Sequence, residues 1–203
     1  MKYEKNSKNK VRRMVALALL TALVIVLQLI GTVVTIGSTP ISMTLVPIVI
    51  GAILLGPGAG AFLGAVFGVV VLAGGFSGKD WFTAMLLNIS AFWTMMVCLV
   101  KGALCGAVAG WIAKALKGHK TLGCILAAVS APIVNTGVFA LFMLTVLRPG
   151  LEEFAVQIGK GGGNVVQILF VVLIGINFVI EFIVNTALSA AISRIVRAVA
   201  TDF

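Results

Sequence analysis

The sequence predicts an all-α integral membrane protein, a six-transmembrane-helix bundle with both termini cytoplasmic. Three observations predict it. The 203 residues are 61% hydrophobic and only 10% charged, with a mean hydropathy of +1.19, too few charges to coat a water-soluble domain of this size. The apolar residues fall in runs long enough to cross hydrocarbon. The formal charge of +9 is distributed unevenly between the two sides of those runs.

The elements follow in order. Residues 1–13 form a basic cytoplasmic tail with no apolar core of a signal peptide, and 14–198 read as one six-helix membrane domain. The expected helices lie at roughly 12–35, 43–55, 58–75, 96–116, 121–146 and 166–198. The second is short and ends at "GPG", so it is the least regular. The stretch 76–95, "FSGKDWFTAMLLNISAFWTM", reads as an outer loop with a short interfacial helix, because tryptophan favours the headgroup zone. Lys2, Lys5, Lys8, Lys10, Arg12 and Arg13 in the tail, Lys114, Lys117 and Lys120 between the fourth and fifth helices, and Arg194 and Arg197 at the C-terminal end make eleven cations on one side. Lys79, Arg148 and Lys160 make three on the other, with Lys101 inside the fourth helix. The positive-inside rule then puts both termini in the cytoplasm. The positive charge is thus topological and implies no nucleic-acid partner.

Glycines repeat every fourth residue at Gly56, Gly60, Gly64 and Gly68 in the third segment and at Gly102, Gly106 and Gly110 in the fourth. Small residues at that spacing let helix backbones approach closely, so these stripes are expected to pack helices. Ala18 and Ala22 in "ALLTA" form a weaker small-residue pair in the first helix.

Enzyme signatures are missing from the sequence. The lone His119 sits in a basic loop, which excludes HExxH, and "GGFSGKD" fits neither GxSxG nor a P-loop, since Ala73 precedes and Asp80 follows the required positions. Cys98, Cys105 and Cys124 have apolar neighbours and no metal-ligand spacing. No metal or cofactor is expected. Glu4, Asp80, Glu152, Glu153 and Asp202 lie near ends or loops, leaving Glu181 as the intramembrane carboxylate.

Glu181 lies in "NFVIEFIVNT", with Asn177 and Asn185 four residues to either side. On a helix each such step rises about 6 Å and turns about 40°, giving one spiralling stripe. An ionised group at mid-membrane costs roughly 2.5–3.5 kcal/mol or more, so it faces a cavity or a partner. Lys101 is the intramembrane cation and could pair with it; the rival for Lys101 is snorkelling to the outer interface. Asn135 and Thr136 follow Pro132 near mid-depth of the fifth helix. The candidates for binding a substrate are therefore Asn177, Glu181, Asn135, Thr136, Lys101 and Trp93, with Asn185 assigned to helix packing. Two roles remain for Glu181: holding a polar solute, or locking the sixth helix to the fourth through Lys101.

The stretch "STPISMTLVPIVIGAILLGPGAGAFLGAVFGVV", with Pro47, Gly51, Gly56, Pro57, Gly60 and Gly64, resembles the second and third helices of substrate-binding S components of energy-coupling-factor (ECF) vitamin transporters. "VKGALCGAVAGWIAKAL" is similar to the family's fourth helix and "NFVIEFIVNTALSAAI" to its sixth. "ALLTA" resembles the alanine motif by which the first helix meets a transmembrane coupling subunit. The similarity spans roughly 14–198 and looks closest to pantothenate-type members. It implies capture of a vitamin or precursor from outside, in the plasma membrane of a prokaryote. It also implies a site built from helices four to six and the first loop, assembly with a coupling subunit through Ala18 and Ala22, and two cytoplasmic ATPases. Folate or another vitamin is the alternative ligand. The alternative function is a stand-alone proton-coupled secondary transporter using Glu181, although no repeated halves are visible.

Overall fold

A computed structural model describes the backbone of residues 2–31, 35–36, 39–40 and 43–199, and side chains within 9–31, 43–175, 178–188 and at 191. Its elements are α1 (Lys2–Gly31), a two-residue antiparallel pair β1 (Thr35–Ile36) and β2 (Thr39–Pro40), α2 (Leu45–Leu55), α3 (Pro57–Phe76), α4 (Trp81–Ile89), α5 (Ala91–Ala115), α6 (Lys120–Leu144), α7 (Arg148–Gln157), α8 (Val165–Gln167), a π-helical turn at Ile168–Ile174, and α9 (Gly175–Val199).

The basic segment expected as a tail continues α1 back to Lys2. It contains no Gly or Pro, and Lys, Arg and Glu are good helix formers. Residues 10–15 of α1 are exposed, and an apolar face with Leu19, Leu23, Val26 and Ile30 is also uncovered, as suits lipid or a membrane partner.

In α2, Pro47 occupies the first turn, where its missing N–H breaks no hydrogen bond. Gly56 ends the helix at φ +101° and ψ 175°, a region open essentially to glycine alone, and its N–H donates to the Ala52 carbonyl. Pro57 then starts α3 at once. Gly56 therefore leaves the packing stripe assigned to it: nothing lies within 4 Å of where its Cβ would stand. It serves the turn instead.

The other glycines of the two stripes meet face to face. A Cβ added at Gly60 would strike the Gly106 carbonyl, one at Gly64 the Gly102 carbonyl, and one at Gly68 the Cys98 carbonyl. Cβ atoms at Gly102 and Gly106 would strike Gly64 and Gly60 in return, and one at Gly110 would meet Pro57. The paired numbers run in opposite directions, so α3 and α5 are antiparallel and in backbone contact.

Residues 76–95 hold a short helix, as expected, but less loop than expected, because the following span begins inside them. Asp80 caps α4, accepting from the Thr83 N–H at 3.1 Å and from its hydroxyl at 2.6 Å. An extended Ser90 then turns the chain into α5, which begins at Ala91, five residues earlier than the sequence suggested. The apolar stretch "AFWTM" simply extends the span. Helix α7 had no sequence-based counterpart. Pro149 lies at its start and it buries Leu151 and Phe154. Phe154 stacks on Trp81 at 6.1 Å and meets Phe82 edge-on at 5.6 Å, joining α7 to α4 as a cap over one end of the bundle.

The last expected helix is interrupted. Asn164 caps α8, and the π turn follows; Val165–Ile174 and Phe178–Leu188 are inclined by 43°. A π turn adds a residue to the repeat, so side chains beyond it rotate relative to a continuous α-helix. Among the described residues four helices are long and apolar enough to cross a membrane (Asn9–Gly31, α3, α5 and α6), and five if the bent pair is one span. At 11 residues, α2 covers about 16 Å, half the hydrocarbon core.

Candidate functional site

A cavity of about 130 Å³ lies between α1, α3, α4, α5, α6 and the bent pair. Its walls are mostly aromatic and aliphatic, with Phe67 and Val71 from α3, Phe82 from α4, Phe139 from α6, and Leu173, Ile174 and Phe178 from the bent pair. Seven polar side chains line it as well: Gln28, Asp80, Thr83, Lys101, Asn135, Thr136 and Glu181. An apolar cleft with a few convergent polar groups is the usual form of a small-molecule site.

Lys101 sits ten residues into α5, about 15 Å from its start, deeper in its helix than the expected start at 96 implied. Its neighbour Gly102 is pinned against α3, and the lysine lines the cavity beside that contact. Its Nζ lies 5.5 Å from the Phe67 ring centroid and 5.4 Å from that of Phe139. Two ring faces stabilise a cation that is poorly hydrated, which accounts for a lysine staying in the bundle.

Glu181 is 7% exposed and shares the cavity wall with Asn135. The direct lock to Lys101 does not form: among the described residues the one ion pair within 4.0 Å is Arg148–Glu152, on the exposed face of α7. The cavity separates the two charges, and the phenyl rings take the place of the carboxylate beside the ammonium. Asn185 is fully buried and its Nδ2 donates to the Glu181 main-chain carbonyl at 2.8 Å. It is bonded to its own helix.

The structure thus brings together Lys101, Asn135, Thr136 and Glu181. Trp93 lies outside the cavity, partly exposed, edge-on to Phe92 and Phe142. Asn177 is helical, but its side chain falls outside the described residues. Ala18 and Ala22 are exposed on α1.

Sequence reasoning missed three polar lining residues. Gln28 is 4% exposed and accepts the Thr44 hydroxyl at 2.9 Å. It was visible as an amide inside "VIVLQLIG", where a polar side chain asks for a partner. Asp80 and Thr83 were visible as an N-cap before an apolar run, "DWFTAMLL". Asp80→Ala is expected to lower apo-protein stability by about 1 kcal/mol through loss of that cap and to speed ligand release, since α4 covers the cavity. Asp80→Ser, which can still cap, should recover the stability in a thermal-unfolding assay.

The set offers one cation, carboxylates, amides and hydroxyls against aromatic walls. That arrangement can bind a small solute carrying both an anionic and a hydrogen-bonding part. Among the described residues no three His, Cys, Asp or Glu side chains gather as a metal site.

A family model described as "ECF transporter, substrate-specific component" matches residues 12–197, nearly the whole chain. The chain belongs to this family. Searches of curated proteins and of solved structures each returned no match. This substrate-specific component is therefore a helical, multi-pass membrane subunit of an ECF transporter, and the cavity is the place to look for its substrate.

Proposed function

We propose that this substrate-specific component captures a small water-soluble vitamin or precursor on the outer side of a prokaryotic plasma membrane. It then delivers the ligand to a transmembrane coupling subunit driven by two cytoplasmic ATPases. The observation that carries the reading is the cavity in which Lys101, held over Phe67 and Phe139, faces Glu181 and Asn135 without an ion pair. A ligand carboxylate suits Lys101, and ligand hydroxyl or amide groups suit Asn135, Thr136 and Glu181. Pantothenate has that combination and is the favoured ligand.

In this reading residues 14–198 form one membrane domain of six helical segments, with α2 and the bent α8–α9 unit completing the set and both ends in the cytoplasm. The gathering of Arg13, Lys114, Lys117 and Lys120 at one end of the bundle supports that orientation.

Titration calorimetry of the purified chain with pantothenate tests the ligand. Saturable binding is expected, and its absence alongside binding of another vitamin overturns the pantothenate assignment. Vesicles holding this chain alone should bind ligand without accumulating it, and concentrative uptake driven by a proton gradient would overturn the subunit reading. The exposed Ala18 and Ala22 are proposed to meet the coupling subunit. Ala18→Trp should leave the dissociation constant within about twofold of wild type, because the position is far from the cavity wall, while transport by the assembled complex falls by about tenfold or more, as for a disrupted small-residue interface. Loss of ligand binding in that variant would overturn the interface assignment.

A further inference from the structure

At the end of the bundle opposite the α4–α7 cap lies a second, open groove of about 630 Å³. Its floor is the α2–α3 break, Leu55, Gly56 and Pro57, and its rim carries Arg13, Lys114, Lys117 and Lys120. Among the described residues no acidic side chain lines it. Arg13 is fixed in place: its Nη2 donates to the Leu55 main-chain carbonyl at 2.8 Å, across 42 residues of sequence. Topological charge requires cations in the right loops. It does not require cations from α1, the end of α5 and the start of α6 to converge on one groove.

A second depression adjoins the first and shares Arg13 and Leu55 with it. It runs between α1 and α3 and is lined by Met14, Leu17, Gly58, Ala59 and Phe62. Met14 is 70% exposed and Phe62 is 49% exposed. One face therefore offers a cationic basin at the level where the helices end and an apolar crevice leading from it along the helices. A phosphate ester fits the first and an acyl chain fits the second, and a phospholipid joins the two.

We propose that this face is a binding site for an anionic phospholipid, with the headgroup phosphate held by Lys114, Lys117, Lys120 and Arg13 and one acyl chain laid in the α1–α3 crevice. Ala18 lies five residues along α1 from the groove's Arg13, about 8 Å on a helix, so the lipid would border the surface assigned to the coupling subunit. The inference stands on the groove alone and does not depend on the identity of the transported ligand.

The test is native mass spectrometry of the delipidated full-length chain, titrated with phosphatidylglycerol and with phosphatidylcholine of the same acyl chains. Retention of phosphatidylglycerol is expected to exceed that of phosphatidylcholine by tenfold or more. The triple variant Lys114→Gln, Lys117→Gln, Lys120→Gln should lose the preference. The corresponding triple arginine variant, and Lys79→Gln at the other end of the bundle, should keep it. Glycerol phosphate at the lipid's concentration should not displace the lipid, because it lacks the chain that the crevice takes. Equal retention of the two lipids, or a preference that survives the triple glutamine change, would overturn the site. Displacement by glycerol phosphate would overturn the lipid assignment in favour of a soluble phosphate.

Discussion

Gly64→Leu is expected to abolish the folded bundle. A Cβ at position 64 would overlap the Gly102 carbonyl, and the next nearest atoms are the Gly102 carbonyl carbon and the Ala103 nitrogen. All are main chain. A side chain in the way can change rotamer, but a helix backbone cannot, so α3 and α5 would have to separate along their length. Overpacking in adaptable cores costs about 1–3 kcal/mol, and a clash with no adaptable partner exceeds that. Purified Gly64→Leu should elute as aggregate in size-exclusion chromatography, and Gly64→Ala should unfold at a lower temperature than wild type. Gly58→Ala supplies the control, since nothing lies within 4 Å of its added methyl. If Gly64→Leu retained a monodisperse, ligand-binding form, the α3–α5 contact would not be the organising interface described above.

The second large effect is expected at two of the charges facing the cavity, Lys101 and Glu181. Lys101→Met keeps the length and the apolar stem beside Phe67 and Phe139 but removes the ammonium. Hydrogen bonds to charged groups contribute about 1.5–3 kcal/mol, so affinity for a carboxylate ligand should fall by about 10- to 100-fold. An alcohol analogue lacking the carboxylate should bind wild type and Lys101→Met alike. Glu181→Gln separates the two roles left open by the sequence. As a ligand-holding group, Glu181 is buried at a cost that its amide avoids, so the variant should lose affinity while apo-protein thermal stability holds or rises. A lock between helices would show the reverse: lowered stability with affinity largely intact. Calorimetry and thermal unfolding on the same preparations distinguish the two.

Much of this architecture was legible in the sequence because a bilayer simplifies the problem. Hydropathy located the four long apolar helices, "GPG" located the α2–α3 break, and the four-residue glycine spacing located the faces of α3 and α5 that touch. The misses have local causes. Gly56 shares the period of its stripe, but the period does not reveal a positive φ. The cap helix α7 follows from Pro149 and from apolar positions such as Phe154, whose ring partners Trp81 and Phe82 lie more than 60 positions away in the chain. The π turn has no compositional signature, and it shifts the faces of everything after it.

The intramembrane polar residues show where the division falls. The sequence alone determined that Lys101, Asn135, Glu181 and Asn185 lie in apolar helices, because hydrocarbon makes each of them costly and therefore conspicuous. Their roles were decided by tertiary structure. Helix rotation turned Lys101 toward two phenyl rings and the cavity, set Asn135 beside Glu181, folded Asn185 back onto its own helix and left Trp93 outside. A periodic pattern specifies which residues share a face of one helix. Which faces converge depends on how closely neighbouring backbones can approach, and here the glycine contacts between α3 and α5 set that distance.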